Sequence, residues 1–357
     1  MITKFVPGFH SLIDQQRPIR TLTTLLRKGT IPHALLFTGI DGVGRMTAAM
    51  TFAMACNCSS LNAKYPSNNR DDRRPSQDQP ARPDPCLHCK SCRKIKTDNH
   101  PDVLILRPSG PYIRIGQIRS LHEILAMKPY EARVRVVIIF DAHSMNPQAG
   151  NALLKILEEP PDRTHLILIA SQTSDLLPTI VSRCQHIRFN PVSQDSLEAW
   201  LVEKKDVAPD EAAILASMAN GSISKALSMR EANWITRRNW LINEVEHLPE
   251  KMIGSVLAFA EKLTKNKERL HESLEIIKVW LRDLAVYKFD PEKIMNKDLT
   301  LKIQYASQEI SIRSIISKIE SIQTTQKNLR GNTNLRLTLE IMALRLANSQ
   351  AWEEALN

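Results

Sequence analysis

Cys86, Cys89 and Cys92 stand at two successive C-x-x-C spacings, which bring three thiolates within reach of one tetrahedral ion. Two further cysteines precede the run, Cys56 and Cys58, and a fourth ligand from Cys58 would close a structural zinc site. His88 falls inside the first spacing and is poorly aimed for ligation. Redox C-x-x-C pairs normally stand alone, so a redox role fits this cluster less well. Six cysteines in 357 residues are too few for a disulfide scaffold, and in a reducing compartment such a cluster indicates metal.

A second set of residues reads as phosphate chemistry with parts missing. The stretch GIDGVGRMT, Gly39 to Thr47, follows an apolar run and precedes a helical one, the context of a G-x-x-x-x-G-K-[ST] loop. Gly39, Gly42 and Gly44 would let backbone amides turn toward phosphate, aided by the helix N-terminus. The lysine position, however, holds Arg45, and the magnesium-binding hydroxyl position holds Met46. A thioether cannot replace a hydroxyl on a hard cation, and Thr47 comes one residue too late. Downstream, VVIIFDAHSMN ends an apolar run in Asp141, where a nucleotide hydrolase holds magnesium. The acid that would activate water is absent, because the next residue is Ala142. The pattern predicts a phosphate-loop fold with a vestigial magnesium site and no ATPase activity of its own. Ser182-Arg183-Cys184 is a further polar island, but an isolated arginine is ordinarily a solvated charge, and spacing alone assigns it nothing.

The elements that must position these residues can be read from periodicity. Ala34–Thr38, Val103–Leu106, Val136–Phe140 and Leu166–Ala170 are short runs without polar alternation, as expected for strands buried on both faces of a parallel sheet. Helical patterns lie between them, at Gln117–Met127 and Pro147–Glu158. The second has Asn146 as N-cap, Pro147 in the first turn and a stop at Pro160-Pro161. Strands alternating with helices predict a doubly wound α/β domain over residues 1–190. Residues 191–232 read as a small helical domain, and 233–357 as a longer all-helical one with amphipathic segments at Leu274–Tyr287 and Leu335–Ala347. All five tryptophans follow residue 190, where they are expected to fill helix–helix contacts. The segment 65–85 carries five prolines among polar residues and is expected to be a flexible insertion within a zinc module spanning 58–92.

Composition narrows the class. The net charge of +10 invites a nucleic-acid-binding reading, but half of it lies between Lys64 and Lys96, with nine basic and four acidic residues. From Ile235 onward 19 basic residues face 16 acidic ones, so no long basic surface is indicated. With 43% hydrophobic and 24% charged residues the chain is not intrinsically disordered. Its apolar runs are far shorter than the ~20 residues of a membrane span, and MITKFVPGFHSL lacks the apolar core of a secretory signal. The expected location is cytoplasmic.

Several motifs in fixed order carry a resemblance: Leu12-Ile13-Asp14-Gln15, IPHALLFTGIDGVG, CLHCKSCRKI, NHPD, NALLKILEEPP, LLPTIVSRC, and NTNLRLTLEIMALRL at Asn332–Leu346. Together they resemble the bacterial clamp-loader family, AAA+ proteins of the DNA polymerase III holoenzyme, over nearly the whole chain. The resemblance implies an AAA+ α/β domain with an inserted four-cysteine zinc module, a helical lid and a C-terminal collar domain. In the family's ATPase subunits the loop reads G-K-T, an acidic pair follows the strand, and a sensor arginine stands in the lid. Here those positions hold Arg45-Met46, Asp141-Ala142 and Ser224, with Gln172 at the first sensor position, so the chain is similar to the family's non-hydrolysing, delta-prime branch. The family's zinc ligands match Cys58, Cys86, Cys89 and Cys92. Arg183 matches an arginine that acts in trans as a catalytic finger on ATP bound by a neighbouring subunit. The implied partners are tau/gamma ATPase subunits and a delta subunit in a hetero-oligomeric ring and, through the assembly, the sliding clamp and primer-template DNA, with no membrane.

Overall fold

The computed structural model describes residues 8–64, 83–329, 331 and 333–347. The expected insertion 65–85, as far as residue 82, and Trp352 lie outside them. Five strands, Ala34–Thr38 (β1), Val103–Leu106 (β2), Arg135–Ile139 (β3), Thr164–Ala170 (β4) and Gln185–Arg188 (β5), form one parallel sheet in the order β2-β3-β4-β1-β5. The first four coincide with the apolar runs to within two residues at either end. The fifth has no such run: it lies at an edge of the sheet, and only Ile187 in it is buried.

Among the described residues eight helices accompany this sheet: Gln16–Lys28 (α1), Arg45–Asn57 (α2), Ser59–Lys64 (α3), Lys90–Lys96 (α4), Ile115–Leu125 (α5), Pro147–Glu158 (α6), Pro178–Val181 (α7) and Gln194–Lys205 (α8). Alternate residues of each central strand enter two separate cores. Leu35, Phe37, Ile138 and Ile167 pack with Leu22 of α1, Phe52 of α2 and Ile95 of α4. Leu36, Val137, Ile139 and Leu168 pack with Leu121 of α5, Leu153 and Leu157 of α6 and Ile180 of α7. Both faces of the sheet are therefore covered, which explains why its strands lack polar alternation. Helix α6 begins as its sequence dictates: the Asn146 side chain accepts the Ala149 N–H at 2.8 Å, with Pro147 in the first turn.

Two compact units emerge, Met1–Lys205 with Ala219–Lys225, and Asp206–Met218 with Ala226–Asn357. The second is helical: Trp234–Glu246 (α11), Ile253–Lys265 (α12), Lys267–Tyr287 (α13), Thr300–Glu309 (α14), Ile312–Leu329 (α15) and Leu335–Ala347 (α16), with most of Pro209–Ala219 (α9) and Ile223–Glu231 (α10). Trp234 and Trp280 are buried, whereas Trp240 is partly exposed beside Phe259. The fully buried Asp283 accepts the backbone N–H groups of Met295 and Asn296, tying the 291–299 connection to α13. Among the described residues no helix is long and apolar enough to cross a membrane.

In the first unit a buried carboxylate fixes the approach to the sheet. Asp102 accepts the N–H groups of Tyr130, Glu131 and Ala132, each at 2.8 Å, and faces the buried Arg135 at 3.4 Å. Burial alone would raise this carboxyl, but the three N–H donors and Arg135 outweigh it and hold it below the usual carboxylate range. Its stabilisation is fully present above the ordinary pKa of about 3.9 and is lost as pH falls through the lowered one. Replacement of Asp102 by alanine is expected to cost about 3–5 kcal/mol, since it leaves three N–H donors unpaired and removes the carboxylate facing Arg135, whose guanidinium keeps the carbonyls of Ile124, Met127 and Lys128; denaturant unfolding at neutral pH measures it, and a loss below about 1 kcal/mol would contradict this account.

Candidate functional site

The glycine loop leaves β1 at Thr38 and enters α2 at Arg45, at the carboxyl edge of the sheet beside β4. In an open α/β sheet ligands bind outside the carboxyl ends, where strand order reverses, and here β1 and β4 meet at such a point. Gly39, Gly42 and Gly44 all have positive φ. All three are also crowded: a Cβ on Gly39 would lie 2.6 Å from the Phe189 carbonyl oxygen, one on Gly42 2.3 Å from Ser222 Oγ, and one on Gly44 2.7 Å from Leu12 Cδ2. The loop is thus closed over by chain segments far downstream, and the Ile223 N–H donates to the Gly42 carbonyl at 3.1 Å.

Arg45 does not project into solvent. Its side chain is 5% exposed, with Nη1 donating to the Ala170 carbonyl at the end of β4 and Nη2 donating to Asp41. Burial lowers the Arg45 pKa, while Asp41 and Asp141 act to support the charge. Asp141 sits in a left-handed conformation just beyond β3, and its carboxyl is raised, first by burial. Met46 packs against the core. The Ala142 methyl is fully buried in the other core, so an acid at that position would be buried too. Ser224 is exposed beside the Gly42 turn, and Gln172 donates to Asp175 at 2.8 Å. Asp41 was not singled out by its spacing, although it stands four residues before Arg45, the separation of an i,i+4 helical pair.

Gln15 and Asp14 complete the closure. The Gln15 amide donates to the Asn190 carbonyl at 2.8 Å and accepts the Asn190 N–H at 3.1 Å. Asp14 accepts from the Ser193 N–H and hydroxyl and from the Ser196 hydroxyl.

At the far end of α2 the cysteines converge. One sulfur each from Cys58, Cys86, Cys89 and Cys92 lies within 4.8 Å of all the others. A tetrahedral zinc with bonds of ~2.3 Å needs sulfurs about 3.8 Å apart, so the set fits after a small contraction. Successive N–H groups point at the sulfurs: Cys86 to Cys58 at 3.4 Å, Cys89 to Cys86 at 3.4 Å and Cys92 to Cys89 at 3.5 Å. A hydrogen bond from Cys92 holds the Cys58 thiol down to about 4 and pushes Cys92 up. The group could hold a metal such as zinc, which would supply a fixed crosslink between the end of α2 and α4. Cys56 is outside it: still within α2 and buried, its thiol is pushed up to about 12. His88 is exposed and bonded to the Cys86 carbonyl.

Arg183 follows α7. Its Nη1 donates to the Thr179 carbonyl at 3.0 Å and its Nη2 to Glu158, the last residue of α6, at 2.7 Å. Its side chain is 36% exposed. The thiol of neighbouring Cys184 is pushed up to about 11 by burial.

Two family-wide sequence patterns match this chain: "DNA polymerase III, delta subunit" over residues 14–193, and the C-terminal part of the same subunit over 232–348. The chain belongs to the DNA polymerase III delta-subunit family. Curated relatives within this clamp-loader group include the DNA polymerase III subunit delta' of Bacillus subtilis, 29% identical over 93% of this chain and 96% of that protein. The subunit delta' of Pseudomonas aeruginosa is 29% identical over 88% and 92%. The B. subtilis subunit tau is 23% identical over 96% of this chain and 62% of its own length. A gamma subunit-related DNA polymerase III protein from Thermotoga maritima superposes over 94% of this chain and 99% of its own with a TM-score of 0.46 at 18% identity.

For a delta-family chain built this way we expect about one zinc per polypeptide by elemental analysis. The metal should be lost in Cys89→Ser and retained in Cys56→Ser; folded, metal-free native protein would refute the site.

Proposed function

We propose that this chain is the non-hydrolysing delta-prime subunit of a DNA polymerase III clamp loader, lending Arg183 as an arginine finger to ATP bound by a neighbouring tau/gamma subunit. The observation that carries the non-hydrolysing part is Arg45. Its guanidinium lies between Asp41 and the Ala170 carbonyl, where an ATPase's loop would need a lysine and a free phosphate-binding space. With Met46 packed against the core and a methyl at Ala142, neither the hydroxyl nor the acid of a hydrolytic site is at hand. Asp141 is then a remnant of a magnesium site, and Gly39, Gly42 and Gly44 serve the closed loop.

Arg183 has the properties the finger role requires. It is partly exposed, always charged and anchored at two nitrogens, and it lies outside its own chain's phosphate loop. Such a fork stabilises charge on the transferring phosphoryl group of a partner's nucleotide. Within the chain, 1–190 would act as the AAA+ domain, with Cys58, Cys86, Cys89 and Cys92 binding structural zinc. Residues 191–232 would be the lid, and 233–357 the part that joins a collar with the delta and tau/gamma subunits. The collar assignment is supported by α16, which is apolar on both sides. Leu339, Met342, Ala343 and Leu346 are buried, while Leu337, Ile341 and Leu344 are 37–55% exposed on the opposite face. The assembly would open a sliding clamp and place it on primed DNA in the cytoplasm, using its neighbours' ATP.

Two measurements test this. In the reconstituted assembly with clamp and primed DNA, Arg183→Ala should lower ATPase by roughly 10³-fold at the affected site while leaving subunit association intact; unchanged ATPase would sink the finger assignment. The isolated chain should turn over ATP at the rate of a protein-free control, and hydrolysis that disappears in Asp141→Asn would show an active site instead.

A further inference from the structure

We propose that Glu158 is the positioning residue for Arg183, holding the guanidinium extended toward the neighbouring subunit; this rests on the finger reading of Arg183. The motif around Glu158 places two acids, Glu158 and Glu159, at the C-terminal end of α6. An acid there faces the negative end of the helix dipole, an unfavourable place unless a cation neutralises it. Lys155 stands in the same last turn, and the cation bonded to Glu158 is Arg183, 25 residues on, with Nη2 donating to Glu158 Oε1 at 2.7 Å.

The close packing of α7 on α6 makes this distance possible. Gly150 of α6 leaves room for Leu177 and Ile180 beside it, and a Cβ there would lie 3.0 Å from Leu177 Cδ1. The second anchor, the Thr179 carbonyl, comes from α7 itself. Each anchor takes one of the five N–H donors of the guanidinium, and among the described residues the other three have no acceptor and can meet an incoming anion. Both partners are solvent-accessible, Arg183 36% and Glu158 51%, and an exposed pair of this kind is too weak to act as a lock that must be broken. Its effect is orientation: a long flexible side chain, costly to order at the moment of reaction, is held in place beforehand.

Consequently Glu158→Gln should lower kcat for ATP in the full assembly roughly three- to tenfold, a part of what the rotamer freedom of an arginine allows, with KM little changed. Glu159→Gln, which removes the neighbouring charge, should have no effect. In an Arg183→Ala background Glu158→Gln should have no further effect, because the residue acts only through the arginine. Thermal unfolding of each variant separates orientation from loss of fold. If Arg183→Ala lowers turnover but Glu158→Gln leaves it unchanged, raises it, or lowers it equally without the arginine, the positioning role is wrong while the finger stands. If Arg183→Ala has no effect, both readings fall.

Discussion

At the carboxyl edge of the sheet the carboxylates of Asp41 and Asp141 and the carbonyl of Ala170 gather around the buried guanidinium of Arg45. A parallel sheet ends with its carbonyls and its loop acids on one side. The cluster of negative groups there needs a cation, which in a nucleotide-binding protein comes from lysine and magnesium. Here the chain supplies it internally. Arg45 is planar, stays charged when buried and forks between two acceptors, so one side chain joins the loop to the end of β4. The charge is desolvated, yet it is hydrogen-bonded and paired, the condition under which a buried ion is tolerated.

Further contacts hold the loop from several sides. The Ile223 N–H closes on the Gly42 carbonyl, and Phe189 lies against Gly39. The amide of Gln15 brackets both backbone groups of Asn190. The same device recurs at the other end of α2, where the Asn57 amide donates to the Val134 carbonyl at 3.0 Å and accepts its N–H at 3.2 Å. Helix α2, 13 residues or about 20 Å long, therefore joins the closed loop to the cysteine cluster. Cys58 and Cys92 are fully buried within the same core as Phe52 and Phe37. A metal held by the four sulfurs would brace this strut from outside the sheet, far from any reacting phosphate.

Much of the fold is legible because its central strands are covered on both faces. β1, β3 and β4 lie inside the sheet and are buried almost throughout, while β2, at one edge, is an apolar run in which only Val103 is fully buried. β5 pairs on one side only and needs a single buried residue, Ile187, so nothing in Gln185–Arg188 marks it. Helix α6 is legible at both ends, since Asn146-Pro147 and Pro160-Pro161 act locally. The fourth cysteine is less so. Cys56 and Cys58 differ by two positions, and what separates them is that α2 ends at Asn57: Cys56 remains in the helix among apolar neighbours, while Cys58 lies beyond it in extended backbone.

What the residues determined by themselves is what depends on type and short spacing: the alternation of strand and helix, the paired C-x-x-C steps, the missing lysine, hydroxyl and acid around Arg45, Met46 and Ala142. Identity at a position bears directly on the chemistry available there, because a methyl or thioether is no ligand for a hard ion. What only the tertiary structure decided is where the remaining charges go. Arg45 turns onto Asp41 and Ala170, and Arg183 turns outward onto Glu158. Spacing places Arg45 at the loop's lysine position and assigns Arg183 nothing, and in neither case does it say what the side chain meets. Their environments differ because burial, helix ends and acceptor geometry are set by residues from 4 to 125 positions away in the chain.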